Sequence, residues 1–357
     1  MVRVFFLLKK MIDYLIIGSG LGGIAFAETA LQQHKSILVF DNGLAGASKV
    51  SAGLYNPVVL KRFTPLADAA EHLLLLHEFY AQLESKLNCK LDYRIPVLRR
   101  FFSIEEQNNW FIAADKESMS PFLATNLITT KYHGIDAAFD YGRVKDTGFI
   151  DVATLLQHYE NYLRKNSLMV TETFDHNQII MTAEGLQYKK IKARHIIFAE
   201  GFGMHCNPFF EGLPLDGAKG EILVIRAPEL NLDVIINTSI FILPLGDDLF
   251  KIGATYNWMD KTNMPTDEAK LELLDKLKEV LSSSFEIVAH YAGVRPTVKD
   301  RKPLVGTHAD YSQLHILNGL GTRGVMLAPA MAKILFEHIE YGNPIPSAIN
   351  FRRFLKK

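Results

Sequence analysis

The chain of 357 residues predicts an α/β fold in which a domain with a parallel sheet is interrupted by a second, α+β domain. Two observations lead to this prediction. Short apolar runs, typical of strands buried on both faces of a parallel sheet, stand near both ends of the chain next to helical patterns. The middle of the chain contains β-rich and polar helical segments instead, which favours a separate domain built on an antiparallel sheet.

The N-terminal part of the chain has the pattern of one β-α-β unit. Residues Ile12–Ile17 form a nearly continuous apolar run, and residues 22–33 carry apolar side chains at helical spacing. A second apolar run at residues 36–40 ends at Asp41. The unit spans about 30 residues, which is the length that two parallel strands and their crossover helix require.

The other elements follow in chain order. Helical spacing predicts helices at residues 68–87, 105–116, 152–165 and 266–282, and a last helix that ends near Ile339. Strand patterns stand at residues 91–103, 195–199, 221–225, 234–255 and 315–317. Because residues 234–255 contain the turn sequence Gly246-Asp247-Asp248, we expect antiparallel strands there.

The composition excludes several classes of protein. The 39 basic and 39 acidic side chains cancel, which argues against binding of nucleic acid by bulk charge. Cys89 and Cys206 are too few for a disulfide framework and lack metal-binding spacing, so we predict no metal site. No apolar run approaches the ~20 residues of a membrane helix, and the one at residues 4–8 is too short for a signal peptide. We therefore expect a cytoplasmic protein in which residues 1–10 are a leader.

Gly18, Gly20 and Gly23 form a G-x-G-x-x-G motif between the first predicted strand and its helix. In this context Gly18 permits a tight turn, Gly20 lets the backbone approach a pyrophosphate, and Gly23 brings helix and strand together. The helix N-terminus offers free N–H groups to phosphates. Asp41, at the end of the next strand, can accept hydrogen bonds from a ribose. The motif predicts a dinucleotide site.

Two further segments favour a flavin over a nicotinamide cofactor. Residues 46–57 are rich in small and hydroxyl-bearing residues, which let the backbone lie close to a bulky planar ligand. Residues 319–324 repeat the glycine motif, but the chain after Gly324 is too short for an independent β-α-β unit. We interpret this second motif as a helix N-terminus that closes on the far end of the same dinucleotide, where its dipole stabilises negative charge on a reduced flavin.

Four segments resemble the FAD-dependent amine oxidoreductases of the D-amino-acid oxidase and glycine oxidase superfamily. They are GSGLGG at residues 18–23, SAGLYNP at 51–57, AGVRPTVKDRKPLVG at 292–306 and GLGTRGVMLAPA at 319–330. The resemblance implies a discontinuous, Rossmann-like FAD domain and a substrate domain on a large antiparallel sheet. It also implies oxidation of an amine or amino acid by hydride transfer to the flavin, which gives an imine that water hydrolyses.

Shorter segments resemble the family at two further places. Residues 199–201 resemble the second strand end that contacts the cofactor, although Glu200 stands where the family has a small or uncharged residue. Residues 219–221 (Lys-Gly-Glu) resemble the entry into the substrate sheet.

The resemblance assigns roles to individual residues. It implies that Arg295 pairs with a substrate carboxylate and that Arg323 lies near flavin and substrate, and a guanidinium suits a carboxylate because it binds it bidentately. Phe241 and Tyr256 would line the pocket, where Phe241 lacks the hydroxyl of some relatives. The residues expected to bind the cofactor are Gly18, Gly20, Leu21, Gly22, Gly23, Asp41, Asn42, Ala47, Ser48, Ser51, Ala52, Gly53, Leu54, Ala199, Gly201, Gly321, Thr322, Arg323, Gly324 and Val325.

We divide the chain accordingly. The predicted FAD-binding domain comprises residues 11–64, 142–218 and 289–357, and the predicted substrate-binding domain comprises residues 65–141 and 219–288. The expected partner is a small amine or amino acid, with no membrane involved. The sequence does not predict an oligomeric state.

Three alternatives stay open at this point. The segments at 51–57 and 319–324 also resemble the oxidase half of the bifunctional enzyme that completes the aminomethyl modification of the tRNA wobble uridine, which removes a carboxymethyl group from a secondary amine. The neutral charge balance disfavours tRNA, whereas the basic residues near both chain ends favour it. The other two alternatives are a flavin-binding protein without turnover and a nicotinamide dehydrogenase.

Overall fold

The computed structural model describes residues 11–44 and 46–355, so the predicted leader lies outside the described residues. The helices are α1 (Leu21–Gln32), α2 (Ala47–Val50), α3 (Ala69–Leu87), α4 (Ile104–Ala114), α5 (Val152–Lys165), α6 (Asp267–Lys278) and α7 (Gly324–Tyr341). The strands are β1 (Ile12–Ile17), β2 (Ile37–Asp41), β3 (Leu54–Tyr55), β4 (Val58–Val59), β5 (Thr64–Pro65), β6 (Asp92–Tyr93), β7 (Val97–Arg100), β8 (Leu123–Ile128), β9 (Tyr141–Val144), β10 (Gly148–Ile150), β11 (Met169–Thr171), β12 (Ile179–Thr182), β13 (Gly185–Tyr188), β14 (Ile191–Phe198), β15 (Ala218–Arg226), β16 (Ile235–Asn237), β17 (Phe241–Gly246), β18 (Leu249–Gly253), β19 (Glu286–Arg295), β20 (Leu304–Thr307) and β21 (Leu314–Asn318).

The first sheet contains the β-α-β unit of the N-terminus. Its strands β11, β2, β1, β14 and β21 run parallel, and antiparallel strands β12, β13 and β20 extend it at the margins. Helices α1 and α7 pack against each other over this sheet, and their apolar side chains share one core with β1. Because the second halves of β1 and β14 are covered on both faces, residues 14–17 and 196–198 are buried and form apolar runs, as the sequence pattern predicts.

The second sheet has the strand order β19-β15-β18-β17-β16-β7-β9-β8. We expected it to be antiparallel, and one pair is not: β16 runs parallel to β7. A hairpin fixes neighbouring strands as antiparallel, but β7 and β16 come from distant parts of the chain and no turn joins them. Leu273 and Leu277 of α6 enter the core on one face of this sheet.

The element bounds differ from the sequence patterns in small ways. Helix α6 ends at Lys278, four residues before the predicted end, and begins after Thr266, whose hydroxyl accepts a hydrogen bond from the Ala269 N–H. Strands β9 and β19 lie in the second sheet and cross the domain boundaries predicted at residues 142 and 289. The division into domains stays a prediction. No helix within residues 11–44 and 46–355 combines the length and apolar character of a membrane span.

Candidate functional site

A cavity of about 580 Å³ lies between the two sheets. One end is formed by the loops after β1, β2 and β14, which we call the glycine-loop end. The other is formed by residues of β15, β17 and β19, which we call the sheet end. The carboxyl ends of parallel strands form the usual ligand crevice of an open α/β sheet, so the glycine-loop end stands at the expected place.

Close backbone packing forms the glycine-loop end. Gly18 has a φ of +101°, and a Cβ placed on it would lie 2.5 Å from the Ala199 carbonyl oxygen. A Cβ on Gly23 would lie 1.9 Å from the Gly18 carbonyl oxygen. Side chains cannot fit at either position, because the obstructing atoms belong to the backbone. The predicted roles of Gly18 and Gly23 in the turn and in helix packing agree with this geometry.

Polar groups from three segments hold this loop. The Leu21 N–H at the start of α1 donates to Ser48 Oγ over 3.2 Å, and Gly20 before it supplies no side-chain cap. Asp41 accepts hydrogen bonds from the Ser19 N–H at 2.8 Å and the Gly43 N–H at 2.7 Å, one on each carboxylate oxygen. Each oxygen keeps a further acceptor position, so Asp41, which lines the cavity, can still accept from a ribose.

The segment from Ala47 to Leu54 forms the long wall of the cavity. Gly53 has a φ of +72°, and a Cβ there would lie 1.9 Å from the Ile150 carbonyl oxygen. Ser51 Oγ accepts a hydrogen bond from the Gly53 N–H at 3.0 Å. All the residues predicted here line the cavity, namely Ala47, Ser48, Ser51, Ala52, Gly53 and Leu54.

A polar clamp centred on the buried Asp92, which sequence reasoning missed, holds the end of this wall. Tyr55 donates to Asp92 over 2.7 Å, and His77 Nδ1 lies 2.8 Å from the other oxygen of Asp92. His77 Nε2 lies 3.0 Å from Asp146. Hydrogen bonds to Asp146 and Asp92 raise the pKa of His77 to about 9. Only the position of Tyr55 within SAGLYNP could have drawn attention to this cluster.

Residues 199–201 accommodate the unusual Glu200. Its carboxylate lies 2.8 Å from His176 Nε2 and accepts a hydrogen bond of 2.7 Å from Asn207 Nδ2. The charge is therefore engaged by two neighbours, although Glu200 lines the cavity beside Ala199 and Gly201. Asn318 Nδ2 donates to the Gly201 carbonyl oxygen over 2.9 Å and connects this strand end to the second glycine motif.

The second glycine motif reaches the cavity only in part. Gly321, Thr322 and Gly324 line it, and the Gly321 N–H donates to the Pro296 carbonyl oxygen over 3.1 Å. The guanidinium of Arg323 instead donates to the Arg301 carbonyl oxygen over 3.0 Å, and Arg323 is not among the lining residues. The role predicted for Arg323 stays a prediction.

Two other predicted cofactor residues stand behind the wall. Val325 is buried in α7, where its carbonyl accepts a hydrogen bond from Tyr80. Gly23 supports the wall through its contact with Gly18. The remaining predicted residues, Gly20, Leu21, Gly22 and Asn42, line the cavity.

Arg295 dominates the sheet end. It ends β19, and its guanidinium lies over Gly220, where a Cβ would come within 1.9 Å of it. Nη1 donates to the Thr255 carbonyl oxygen over 3.3 Å, and the ring of Tyr256 covers the guanidinium at 4.6 Å. No carboxylate of the described residues lies within 4.0 Å of this group. Burial lowers the pKa of Arg295, but an arginine stays charged at any working pH.

Phe241 and Tyr256 complete this end as predicted lining residues. The Phe241 ring packs against Gly253, where a Cβ would meet it at 2.8 Å, so Gly253 leaves space for the ring. Tyr256 is 59% exposed and stands at the rim of the cavity. The sheet end therefore combines an apolar wall with a partly buried cation, an arrangement that suits a small ligand with one anionic group.

The parallel sheet and its glycine loop define a dinucleotide-binding protein, and the comparisons with known proteins identify it as an oxidoreductase. Residues 13–338 match the model of the family described as FAD dependent oxidoreductase. The chain belongs to this family, and its cofactor is FAD, which sets aside the nicotinamide alternative.

Relatives and a solved structure cover most of the chain. Glycine oxidase of Bacillus subtilis (strain 168) is 22% identical over 93% of this chain and 94% of its own length. The tRNA 5-methylaminomethyl-2-thiouridine biosynthesis bifunctional protein MnmC of Marinobacter nauticus is 26% identical, over 46% of this chain and 28% of its own. The crystal structure of glycine oxidase from Geobacillus kaustophilus has a TM-score of 0.75 at 18% identity and covers 97% of this chain and 100% of its own. The fold predicted from the sequence is thereby confirmed.

The described residues fit FAD. The glycine cradle at Gly18 and Gly23 admits backbone and ligand but no side chain, and the start of α1 offers N–H groups to a pyrophosphate. The cavity extends from there to the sheet end, as an elongated dinucleotide requires. When bound, FAD supplies a two-electron acceptor.

Proposed function

We propose that this protein oxidises a small amine that carries a carboxylate, such as an amino acid. The observation that carries the proposal is Arg295, a guanidinium at the sheet end without a carboxylate partner among the described residues. Taking a charge partly out of water costs free energy unless a counter-ion compensates for it. A substrate carboxylate bound bidentately is that counter-ion.

The chain's residues would orient the substrate. Arg295 would hold the carboxylate, Gly220 leaves room for the guanidinium, and Phe241 with Ile222 would exclude water from the carbon that bears the nitrogen. FAD, when bound, would accept the hydrogen of that carbon with its two electrons, and water would hydrolyse the resulting imine. Removal of hydride from a neutral amine needs orientation more than a strong base, which agrees with a sheet end lined by Arg295, Phe241 and Tyr256.

The names of the relatives support this substrate class. A glycine oxidase matches over nearly the whole length of both chains, whereas the MnmC proteins match with a smaller share of their own length, 28% for that of Marinobacter nauticus and 56% for that of Acinetobacter baylyi. We therefore favour a small amino acid over a macromolecule as the substrate.

The test is a visible spectrum of the purified protein followed by anaerobic addition of glycine, sarcosine, proline and D-amino acids. We expect flavin bands that one or more of these compounds bleach. Bands that none of them bleaches would contradict a small-molecule substrate.

A second candidate substrate is a modified wobble uridine of tRNA, and one observation favours it. The loop after Arg295 carries Lys299, Arg301 and Lys302, all exposed, with Asp300 as its one acidic residue. Such a basic loop beside the cavity could contact phosphates. If no small amine bleaches the flavin, bleaching by tRNA that carries carboxymethylaminomethyl-uridine, but not by unmodified tRNA, would establish this alternative.

A further inference from the structure

Two lysines of the second sheet have very different surroundings. Lys219 on β15 is fully buried, and its ammonium pairs with Asp260 and with Glu221 at 3.3 Å. Lys251 on β18 is partly buried, and within the described residues no carboxylate lies within 4.0 Å of its ammonium. Its ammonium donates a hydrogen bond to the carbonyl oxygen of Ser51 over 3.5 Å.

The strand register places Lys251 toward the cavity. It stands opposite Val224 on β15 and Leu243 on β17, two residues along from the positions of Ile222 and Phe241, which line the cavity. Because residues two apart point to the same face of a strand, the side chain of Lys251 is on the cavity face. The contact with Ser51 places it behind the long wall, near the sheet end.

The charge of Lys251 is uncompensated in this position. Burial lowers the pKa of the ammonium, and Asp151, the carboxylate that opposes this effect, is engaged as the cap of α5 by the Thr154 N–H and hydroxyl. A partly desolvated cation is costly unless an anion comes near it. In a FAD protein, such an anion forms in every turnover, since a flavin that gains a hydride gains one negative charge.

We propose that Lys251 is the cation that stabilises the negative charge of the reduced flavin ring and thereby raises its reduction potential. The assignment follows from position. The glycine-loop end suits the adenosine and phosphates, so the isoalloxazine ring belongs at the sheet end, beyond Ser51. At a separation of a few ångströms, the interaction energy of two unit charges is several-fold larger in a protein-like dielectric than in water. The inference rests on FAD binding and needs no particular amine substrate.

The test is a titration of the FAD-loaded protein with sulfite, a nucleophile whose flavin adduct places a negative charge on the ring. We expect Lys251→Met to bind sulfite roughly tenfold or more weakly than the wild type. Its midpoint potential, measured against redox dyes, should be more negative. Lys251→Arg keeps the charge and should stay within about threefold of the wild type in sulfite affinity. Lys192→Met, which removes an exposed lysine from β14, controls for net charge and should change neither value.

Several outcomes would overturn the proposal. Lys251→Met with bound FAD, unchanged sulfite affinity and unchanged potential would do so. If Lys251→Met does not retain FAD, Lys251→Gln replaces it in the comparison with Lys251→Arg, and equal sulfite affinities of these two variants count against the proposal. Loss of FAD in every variant, Lys251→Arg included, would make Lys251 a structural residue. Because sulfite and dyes need no amine, these results are independent of whether the proposed amine oxidation is correct.

Discussion

At the glycine-loop end of the cavity, backbone groups and small residues form the walls, whereas the sheet end combines apolar side chains with Arg295, and Lys251 lies behind its wall. Around Gly18 and Gly23 the tolerance for added atoms is almost zero, since a single Cβ collides with the main chain. Arg295 and Lys251, by contrast, lack counter-charges among the described residues. The glycine-loop end therefore restricts the shape of its ligand, whereas the sheet end presents cations that a negatively charged ligand can neutralise.

The substitution Gly23→Ala tests whether the glycine-loop end tolerates an added side-chain atom. The new Cβ would lie 1.9 Å from a backbone oxygen, so α1 must move away from β1. We expect FAD affinity to fall by about 3 kcal/mol, roughly a hundredfold, in the upper range of overpacking costs. Flavin content after purification and FAD titration of the apoprotein measure this loss.

Gly203→Ala is the matched control. A Cβ there meets nothing closer than 3.9 Å, so the variant should retain FAD. Equal FAD affinity of the two variants would show that the close packing at Gly23 is not required for binding.

The sheet end should instead affect the substrate and leave the cofactor bound. Arg295→Ala should keep its flavin and lose about 2 kcal/mol or more of transition-state binding for amino acids, roughly 30-fold in kcat/KM. For amines without a carboxylate, the kcat/KM of Arg295→Ala should stay close to that of the wild type. Wild-type kcat/KM for carboxylate-bearing amines in this variant would contradict the role of Arg295, and Tyr256→Phe, which keeps the ring over the guanidinium, is the control.

The smallest expected effect is a pH dependence of the free energy of unfolding, caused by His77. Since the pKa of folded His77 is raised to about 9 from the ordinary 6.5, its clamp stabilises the fold fully below pH 6.5 and loses this contribution as pH rises through 9. Asp146 is 49% exposed, so solvent screening reduces the contribution to about 1–2 kcal/mol.

The measurement is urea unfolding of the wild type and His77→Gln at pH 6 and pH 9.5. The difference in the free energy of unfolding between the two proteins should shrink at the higher pH. If the difference is the same at both pH values, protonation of His77 does not contribute to the stability of the fold.

The same contrast explains what the sequence could predict. The roles of Gly18, Gly23 and Asp41 depend on residues close in the chain, so motif spacing carries the information. The surroundings of Lys251 depend on Ser51, 200 residues away in the chain. The hydrogen bonds of Asp92 depend on Tyr55 and His77, which come from two other segments. Such pairings arise from strand register and helix packing, which no local pattern encodes. The direction of the Arg323 side chain also depends on a distant loop, that of Arg301.

The order of strands in the first sheet has a consequence for how the protein is made. Strand β1 leaves the ribosome first, yet its neighbour β14 follows some 180 residues later, and β14 in turn pairs with β21 at residues 314–318. The β1-α1-β2 unit must therefore wait with both strand edges unpaired, since the outer neighbour of β2 is β11 at residues 169–171, and this arrangement slows folding and favours association with other chains. The nucleotide site, although its motif directly follows β1, is complete only after β21 at residues 314–318 has been synthesised.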